Sequence, residues 1–470
     1  MTEESSSADL VTKPADSMQS KQDERQSDFT TGPIHTHLIR LTGYMLMGFV
    51  SIMTAQLMET VYIGLIGTDE LAAVSFTFPL VMILQGVAMG LSVGASSIVA
   101  RTMGTGDREK VRRLITHCFL LVVVLILTFT SIAYANLTFF FNLLGAQPHI
   151  LPLIIRYMEI WLLGVPFFTI ALVGSTLMRA AGDAVTPGYL MTVGSALHVI
   201  IAPFFIFGLG PVPEMGLEGA AIGFVLARTV SFCLYSYFIG CRDRLLIASL
   251  TGLWSSQRDI LHVGLPAIAS NLIGPVSMAI ITRLLAGHGA EVVAGFGVAS
   301  RLESMAVMLI IALGMSIAPF VGQNWGAGKY QRVRDSLNLS YRLSLLWGLF
   351  AFVIMVLFAE VLVSLINKDP LVIESATTYL YIVPLGMGFM GIMMIATQSF
   401  NALGKPIPPL VISVNQTLLI YVPLAILGDY LWGYTGIFIA TTVTGVLMGT
   451  LSWYWLSRVV RSKTDSTERI

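Results

Sequence analysis

Twelve long apolar runs, separated by short polar breaks, constrain the fold of this chain more than any other feature of its sequence. A helix needs about 20 predominantly apolar residues to cross the hydrocarbon core of a bilayer. Because backbone polar groups in a bilayer must pair with one another, helices and closed barrels are the structures that span it. The runs lack the short alternating segments of a barrel. We predict an all-α membrane protein with helices near residues 38–64, 70–100, 110–140, 150–178, 185–208, 217–240, 258–285, 291–322, 332–366, 372–401, 407–427 and 433–457.

Composition favours a lipid surround over a soluble fold. Apolar residues form 55% of the chain and charged residues only 11%, whereas soluble domains carry about 25% charged residues. The formal net charge is zero, so nothing indicates nucleic acid as a partner. Cys118, Cys233 and Cys241 form no Cys-x-x-Cys pair, and the sequence therefore predicts neither a disulfide framework nor a zinc site. No metal or other cofactor is expected.

The chain is predicted to consist of two lobes flanked by polar tails. Residues 1–35 are polar and Ser-rich, cannot bury enough apolar surface to fold alone, and lack the basic start and apolar core of a signal peptide. We expect them to form a disordered cytoplasmic tail. The remainder is predicted to form an N-terminal six-helix lobe over residues 36–240, a cytoplasmic linker over 241–257, a C-terminal six-helix lobe over 258–460 and a second cytoplasmic tail over 461–470.

Lysine and arginine are concentrated on alternate loops. Cytoplasmic loops of membrane proteins carry an excess of these residues, and here the excess follows every even-numbered helix. The opposite loops hold only Arg283 and Lys368. We therefore predict a multi-pass protein of the inner (plasma) membrane with both termini in the cytoplasm. The cations counted on the basic loops are Arg101, Arg108, Lys110, Arg112, Arg113, Arg179, Arg242, Arg244, Arg258, Lys329, Arg332, Arg334 and Lys405.

An internal repeat relates the two halves of the chain at an offset of 222 residues. Gly104 in MGTGDREKVRRL corresponds to Gly326 in WGAGKYQRVRDSL, and Tyr157 corresponds to Tyr379. The register needs no gap over residues 60–187. Because each unit holds six helices, both units enter the membrane from the same side and form parallel repeats. Transporters use such repeats for alternating access, in which one bundle rocks against the other around a cleft.

The two loops in this register, GTGDREKVRR and GAGKYQRVR, combine Gly-x-Gly with a cluster of basic residues. They lack the GxxxxGK[ST] spacing and the preceding strand of a phosphate-binding loop. We interpret them as tight turns whose solvated charges orient the chain. The sequence also contains no HExxH motif and no paired carboxylates in a plausible pocket, so no enzymatic activity is predicted.

Several of these segments resemble the multidrug and toxic compound extrusion (MATE) family of transporters. They are METVYIGLIGTDELAAVSFTFP, MGTGDREKVRRL, VGQNWGAGKYQRVRDSL, LMRAAGDAVTPG and FNALGKPIPP. The resemblance covers roughly residues 38–457. It implies two six-helix lobes around a central cleft, and the export of lipophilic, often cationic drugs in exchange for protons or sodium ions.

The resemblance also implies a coupling carboxylate. The family's Asp-Thr-x-x-x-Gly pattern in the outer half of the first helix corresponds to Glu59 here. Two other family positions differ in this chain. An Asn and an Asp of the fifth helix correspond to His198 and Ala202, and a Glu of the seventh helix corresponds to Gly274. These differences favour coupling in the first lobe, and protons over sodium ions.

Glu59 and His198 are the predicted ion-coupling residues. An ionisable side chain within a span suggests a function, since burying it costs about 2.5–3.5 kcal/mol on insertion scales. Glu59 lies 19 residues after Arg40, roughly 28 Å from the predicted cytoplasmic end of the helix. Burial disfavours a charged carboxylate, which suits Glu59 to take a proton on one side and release it on the other; the alternative is a solvated interfacial residue. His198 is predicted to be either a buried core histidine or a hydrogen-bond partner of the coupling group.

Further intramembrane charges are predicted to form a charge network or to line a substrate cleft. Arg228 needs an anionic partner, for which Glu59 and Glu159 are the candidates. Glu159 lies three residues after Arg156, so these two side chains could instead pair with each other on one helix face.

In the second lobe, Arg301 and Glu303 lie deep in the eighth predicted helix. They are predicted to form a structural charge network, with gating or proton relay as the alternative.

The sequence therefore predicts a secondary antiporter. It would export small amphipathic, cationic drugs or toxic metabolites in exchange for protons or sodium ions. The alternative is an exporter or flippase of a lipid-linked or metabolite substrate on the same architecture. The intramembrane charges are few and mixed, which favours small amphipathic substrates. The expected partners are this substrate, the coupling ion and the lipid bilayer, and a monomer is expected.

Overall fold

The structure, a computed structural model, describes residues 29–183 and 185–467. Twelve helices of this part of the chain are long and apolar enough to cross a membrane, and no strand occurs in it, which confirms the predicted all-α membrane fold. The helices are α1 (Ile34–Ile66), α2 (Thr68–Gly104), α3 (Arg108–Ala135), α4 (Leu151–Ala180), α5 (Val185–Ile206), α6 (Gly216–Arg242), α7 (Leu253–Ala286), α8 (Ala290–Gly326), α9 (Tyr330–Ser364), α10 (Pro370–Ala402), α11 (Ile407–Trp432) and α12 (Tyr434–Asp465).

The structure differs from the prediction over residues 29–35, which were expected to belong to a disordered tail. Helix α1 begins at Ile34. The side chain of Phe29 is 1% exposed and stacks on Phe320 of α8, with ring centroids 6.2 Å apart. This short segment packs because the ring of Phe29 buries a large apolar area. The polar composition of the tail as a whole did not indicate this contact. Residues 1–28 lie outside the described residues.

The other predicted boundaries differ at the linker and at the C-terminus. Helix α6 ends at Arg242 and α7 begins at Leu253, so the connection between the halves is shorter than the predicted 241–257. The helical conformation of the last span continues to Thr467, into the predicted tail 461–470.

The repeat is visible in the lengths of corresponding helices. Helices α2 and α8 each contain 37 residues, and both their first and their last residues are 222 positions apart. The turns that follow are also equivalent, with Gly106 at φ +81° and Gly328 at φ +72°. Side-chain-bearing residues avoid this left-handed region, which explains why Gly-x-Gly recurs. The first half adds a short helix, Leu137–Leu143, after α3.

The first helix of the second half packs mainly on the first half. Helix α7 packs along α2 more extensively than against any helix of its own half, and it touches its sequence neighbour α8 only slightly. In the equivalent arrangement α1 packs on α8 more than on α2, although α1 also packs closely along α5. The remaining helices pack mainly within their own half, so the lobes meet along α1, α2, α7 and α8.

The two lobes are joined tightly at the end of the bundle that carries the basic loops, here called the basic side. The ends of α2 and α8 cross so closely that a Cβ atom on Gly104 would overlap the Gln323 carbonyl, and one on Gly326 would overlap the Arg101 carbonyl. The amide of Gln323 also donates to the carbonyl of Ala180 on α4, at 2.9 Å. The structure is therefore closed on the basic side.

Candidate ion-coupling site

Glu59 is on α1 and faces α5, in the half of the bundle away from the basic side. Its Oε1 atom is 3.9 Å from Nε2 of His198. This distance is too long for a hydrogen bond but allows a direct charge interaction if the imidazole is protonated. The Glu59 side chain is 19% exposed and that of His198 only 4%. One turn further along α1, the hydroxyl of Tyr62 donates to the carbonyl of Val199 at 3.4 Å, which fixes α1 against α5 beside the pair.

A buried cation completes the site. The guanidinium carbon of Arg228, on α6, lies 5.3 Å from the ring centroid of Phe168 and 5.2 Å from that of Phe224. Aromatic faces attract a cation most strongly where water is excluded. Arg228 is also within electrostatic range of Glu59, and its Nε has no hydrogen-bond partner among the described residues. The Phe224 ring meets the His198 ring edge-on at 6.0 Å, so it forms a wall shared by Arg228 and His198.

Of the two anionic partners predicted for Arg228, the structure brings Glu59 near it and not Glu159. Within the described ranges, no cation lies within 4 Å of the Glu159 carboxylate. The alternative pairing of Arg156 with Glu159 is wrong: Arg156 forms an ion pair with Glu218 of α6 at 3.5 Å. Residues three positions apart on a helix can pair. Here the side chain of Arg156 points outward, and the neighbouring helix α6 offers it the carboxylate of Glu218.

The second lobe has a different carboxylate in a different setting. Glu303 of α8 accepts a hydrogen bond from the Tyr379 hydroxyl at 2.5 Å. Arg301 is exposed and forms no ion pair with Glu303 in the part of the chain that the structure describes. Positions two apart on a helix face different directions, which explains why the predicted Arg301–Glu303 network does not form between these two side chains.

Several residues of the site could not be identified by the sequence reasoning. Phe168 and Phe224 resemble ordinary apolar residues of a span, and only the fold brings them to Arg228. Tyr157 is buried within electrostatic range of Glu59, and the repeat offers a signal for it. It corresponds to Tyr379, the partner of Glu303 in the second lobe.

Arg179 is another residue whose position the sequence did not predict. The sequence assigns it to the cations of the basic loops, but its side chain is 3% exposed. It lines a cavity of about 30 Å³ at the junction of α2, α4, α8 and α10. Its guanidinium donates to the hydroxyls of Ser175 at 2.6 Å and Thr176 at 3.0 Å, and within the described chain it has no carboxylate partner within 4 Å. A buried cation thus lies between the lobes.

A family model confirms what the fold and the repeat indicate. The model for MatE proteins matches residues 45–204 and again residues 266–427. The chain belongs to the MATE family. The two matches fall in the two halves, and members of the MATE family are transporters rather than enzymes. The chain is therefore a multi-pass membrane transporter.

Relatives of this MATE protein include a FAD transporter and a probable multidrug resistance protein. It is 33% identical to a protein of Shewanella oneidensis described as a FAD transporter, over 91% of this chain and 96% of the relative. It is 26% identical to the probable multidrug resistance protein NorM of Thermotoga maritima, over 86% of this chain and 89% of the relative. The chain is also 28% identical in sequence to a mutant of the Vibrio cholerae MATE transporter VcmN. The crystal structure of that mutant superposes on this structure with a TM-score of 0.88, over 91% of this chain and 97% of that chain.

Proposed function

We propose that this MATE protein is a proton-coupled antiporter that exports small amphipathic solutes by alternating access. The observation that supports it is the group formed by Glu59, His198 and Arg228, which places one carboxylate beside a buried cation within the first lobe. The basic side is assigned to the cytoplasm, because cytoplasmic loops carry the excess of Lys and Arg. Both termini then lie in the cytoplasm of a cell whose inner membrane the protein spans.

The surroundings of Glu59 favour a proton as the coupling ion. A hard cation such as a sodium ion takes several oxygen ligands at once. The side chains that the structure brings near Glu59 are the imidazole of His198, the guanidinium of Arg228 and the phenol of Tyr157, which together offer one oxygen. In addition, no group of three or more His, Cys, Asp or Glu side chains able to hold a metal ion occurs among the described residues. A proton needs only the carboxylate oxygen to which it bonds.

Protonation would change the net charge of this site. With an ionised carboxylate, Glu59 balances the charge of Arg228; after protonation the Arg228 charge is unbalanced. A ligand shifts a conformational equilibrium only by its difference in affinity for the two states, and this change of charge supplies such a difference. A cationic cargo would compete with the proton for the carboxylate. One proton that moves down 100 mV supplies about 2.3 kcal/mol, enough to concentrate a neutral cargo more than about tenfold.

A metabolite cargo is the second candidate, and two observations favour it. The Shewanella oneidensis relative, 33% identical, is described as a FAD transporter. Arg179 places a cation without a carboxylate partner at the base of the interface between the lobes, where an anionic solute could be held. We therefore propose flavin nucleotides as the alternative to lipophilic cations.

Transport by purified protein in liposomes tests both proposals. Vesicles are loaded with ethidium, as a lipophilic cation, or with FAD, and a proton or a sodium gradient is imposed separately. We expect the proton gradient alone to drive movement of at least one of the two probes, and the Glu59→Gln protein to be inactive under the same gradient. Movement driven only by sodium would overturn the proposed coupling, and no movement of either probe would overturn both cargoes.

A further inference from the structure

A cavity of about 380 Å³ opens on the basic side, outside the contact that closes the lobes. It lies between the end of α2, the start of α3, the start of α7 and the loop before α11. Three cationic side chains, Arg101, Lys110 and Arg113, line it, together with a single carboxylate, Asp259. The hydroxyl groups of Thr251, Ser255 and Ser256 and the imidazole of His262 complete the polar lining. The lining therefore carries an excess of positive charge.

The walls of this cavity are held in place by specific contacts. The Arg101 Nε donates to the carbonyl of Ser97 at 3.1 Å, and its guanidinium lies against Gly404, where any side chain would overlap it. The buried ring of His117 contacts the Ser256 hydroxyl at 2.9 Å and the Ser249 carbonyl at 2.8 Å. These bonds fix the segment before α7 against α3.

The equivalent place in the second lobe is filled by the protein itself. Lys110 corresponds to Arg332 in the repeat. The Arg332 guanidinium donates to the carbonyls of Gly32, Phe29 and Thr31 at 2.9, 3.0 and 3.1 Å. The segment before α1 thus supplies oxygen acceptors to the loop cation of the second lobe. In the first lobe, neither Lys110 nor Arg113 has an ion pair or a hydrogen-bond acceptor among the described residues.

We propose that the first-lobe cavity binds a phosphate group. Arginine and lysine side chains are the usual ligands of phosphate oxygens, with arginine able to donate two parallel hydrogen bonds. The first turn of α7, which begins at Leu253, adds the positive end of a helix dipole to the same cavity. A bound anion would supply the hydrogen-bond acceptors that Lys110 and Arg113 lack in the first lobe. In the second lobe, backbone carbonyls supply them to Arg332.

The phosphate can belong to a soluble anion or to a lipid headgroup. Trp254 and Leu250, beside the cavity, are 81% and 68% exposed. Tryptophan is enriched at membrane–water interfaces, so these side chains place the cavity at headgroup level. Because the lining comes from α2 and α3 of one half and from α7 and the α10–α11 loop of the other, a bound phosphate would stabilise the closed basic side.

Thermal unfolding and calorimetry of the full chain in nanodiscs test this proposal. The reference is phosphatidylcholine alone; one arm adds inorganic pyrophosphate and the other replaces part of the lipid with phosphatidylglycerol. We expect stabilisation in at least one arm. A response to pyrophosphate identifies a soluble source, and a response to phosphatidylglycerol alone identifies a lipid source. The Lys110→Gln/Arg113→Gln protein should bind about tenfold more weakly, since each lost charge-assisted bond is a large part of such a site.

Two further proteins keep the result decisive. Arg458→Gln/Arg461→Gln removes two exposed cations at the end of α12, near the same side, and should leave binding unchanged. Asp259→Asn removes the only carboxylate of the lining and should tighten binding severalfold, which poor folding could not mimic. No stabilisation of the original protein in either arm would overturn the proposal. So would equal binding by the Lys110→Gln/Arg113→Gln protein.

Discussion

The two lobes share their helices but not their charged sites. In the first lobe, Glu59 of α1 lies near His198 and Arg228. In the second lobe, Glu303 of α8 accepts a hydrogen bond from Tyr379. The position equivalent to Glu59 is Ile281. The two halves therefore repeat one arrangement of helices but carry these carboxylates on different helices.

A second difference lies on the basic side. The cations of the second lobe are covered by the segment before α1, where Lys329 also donates to the carbonyl of Thr30 at 2.9 Å. Those of the first lobe face an open cavity. By contrast, Gly104 meets the Gln323 carbonyl and Gly326 meets the Arg101 carbonyl in a nearly symmetric way. The comparison indicates that closure is a property of both halves, whereas the proposed ion coupling and the proposed anion binding belong to one.

The largest expected effect comes from neutralising the two carboxylates separately. Glu59→Gln should reduce proton-driven transport at least about a hundredfold, because a positioned acid–base group contributes on the order of 10²–10⁴-fold to proton transfer. Glu303→Gln should cost much less, since the amide can still accept the bond from Tyr379. Both are measured by drug resistance in an efflux-deficient host and by transport in vesicles, with equal expression as the control. Equal losses of transport in the two variants, or full activity of Glu59→Gln, would contradict the proposed difference between the two lobes.

Replacing either glycine of the contact on the basic side should reduce transport strongly and to a similar extent. Gly104→Val and Gly326→Val each place a side chain against an opposing carbonyl, and overpacking costs about 1–3 kcal/mol. Transport should fall about tenfold in either protein. Ser96 lines the same cavity between the lobes as Arg179. A cysteine introduced at Ser96, in a background without the native cysteines, should become reactive to an impermeant maleimide from the basic side.

Gly43→Val is the matched control for this experiment, because a Cβ at Gly43 meets nothing within 4 Å. If only one of the two glycine substitutions opened the basic side, the closure contact would not be shared by the halves. Unchanged labelling in both would show that the crossing does not hold the lobes closed.

The smallest effect concerns the segment before α1. Arg332→Gln removes three hydrogen bonds to carbonyls of residues 29–32, two of which are exposed to solvent, and the net contribution of a typical intramolecular hydrogen bond is about 0.5–1.5 kcal/mol. Hydrogen exchange of the Phe29 amide should become at least about tenfold faster, with transport nearly unchanged. Lys110→Gln should leave exchange across residues 29–32 unaltered. Undiminished protection in Arg332→Gln would show that the apolar packing of Phe29, rather than the cation, holds this segment.

The sequence predicted the helices well because a bilayer imposes a simple requirement on length and polarity. All twelve spans followed from it, the family followed from the resemblance of particular segments, and the repeat located the turns at Gly106 and Gly328. The site was predicted only in part. Glu59 was identified by a family pattern, whereas the Phe168–Arg228–Phe224 stack depends on how α4 and α6 rotate against each other. Packing between apolar helices leaves no distinctive residue type in the sequence, so such contacts could not be predicted.

The partner of Arg156 and the burial of Arg179 show the same limit for charges. A local rule of helix spacing connected Arg156 to Glu159, but the nearer carboxylate comes from Glu218 of another helix. The count of loop cations assigned Arg179 to a loop, yet it lies on α4 at the interface between the lobes. In both cases the outcome depends on the tertiary neighbours of a helix end.

The packing of α7 on the first half bears on how such a protein could arise and assemble. A single six-helix unit would leave α2 without the helix that covers it here, because that helix, α7, belongs to the following unit. Two separate copies could complete each other only as a domain-swapped dimer with two-fold symmetry. Fusion of the genes would have joined that dimer into one polypeptide, and during synthesis the first half must wait for α7 before its own surface is complete.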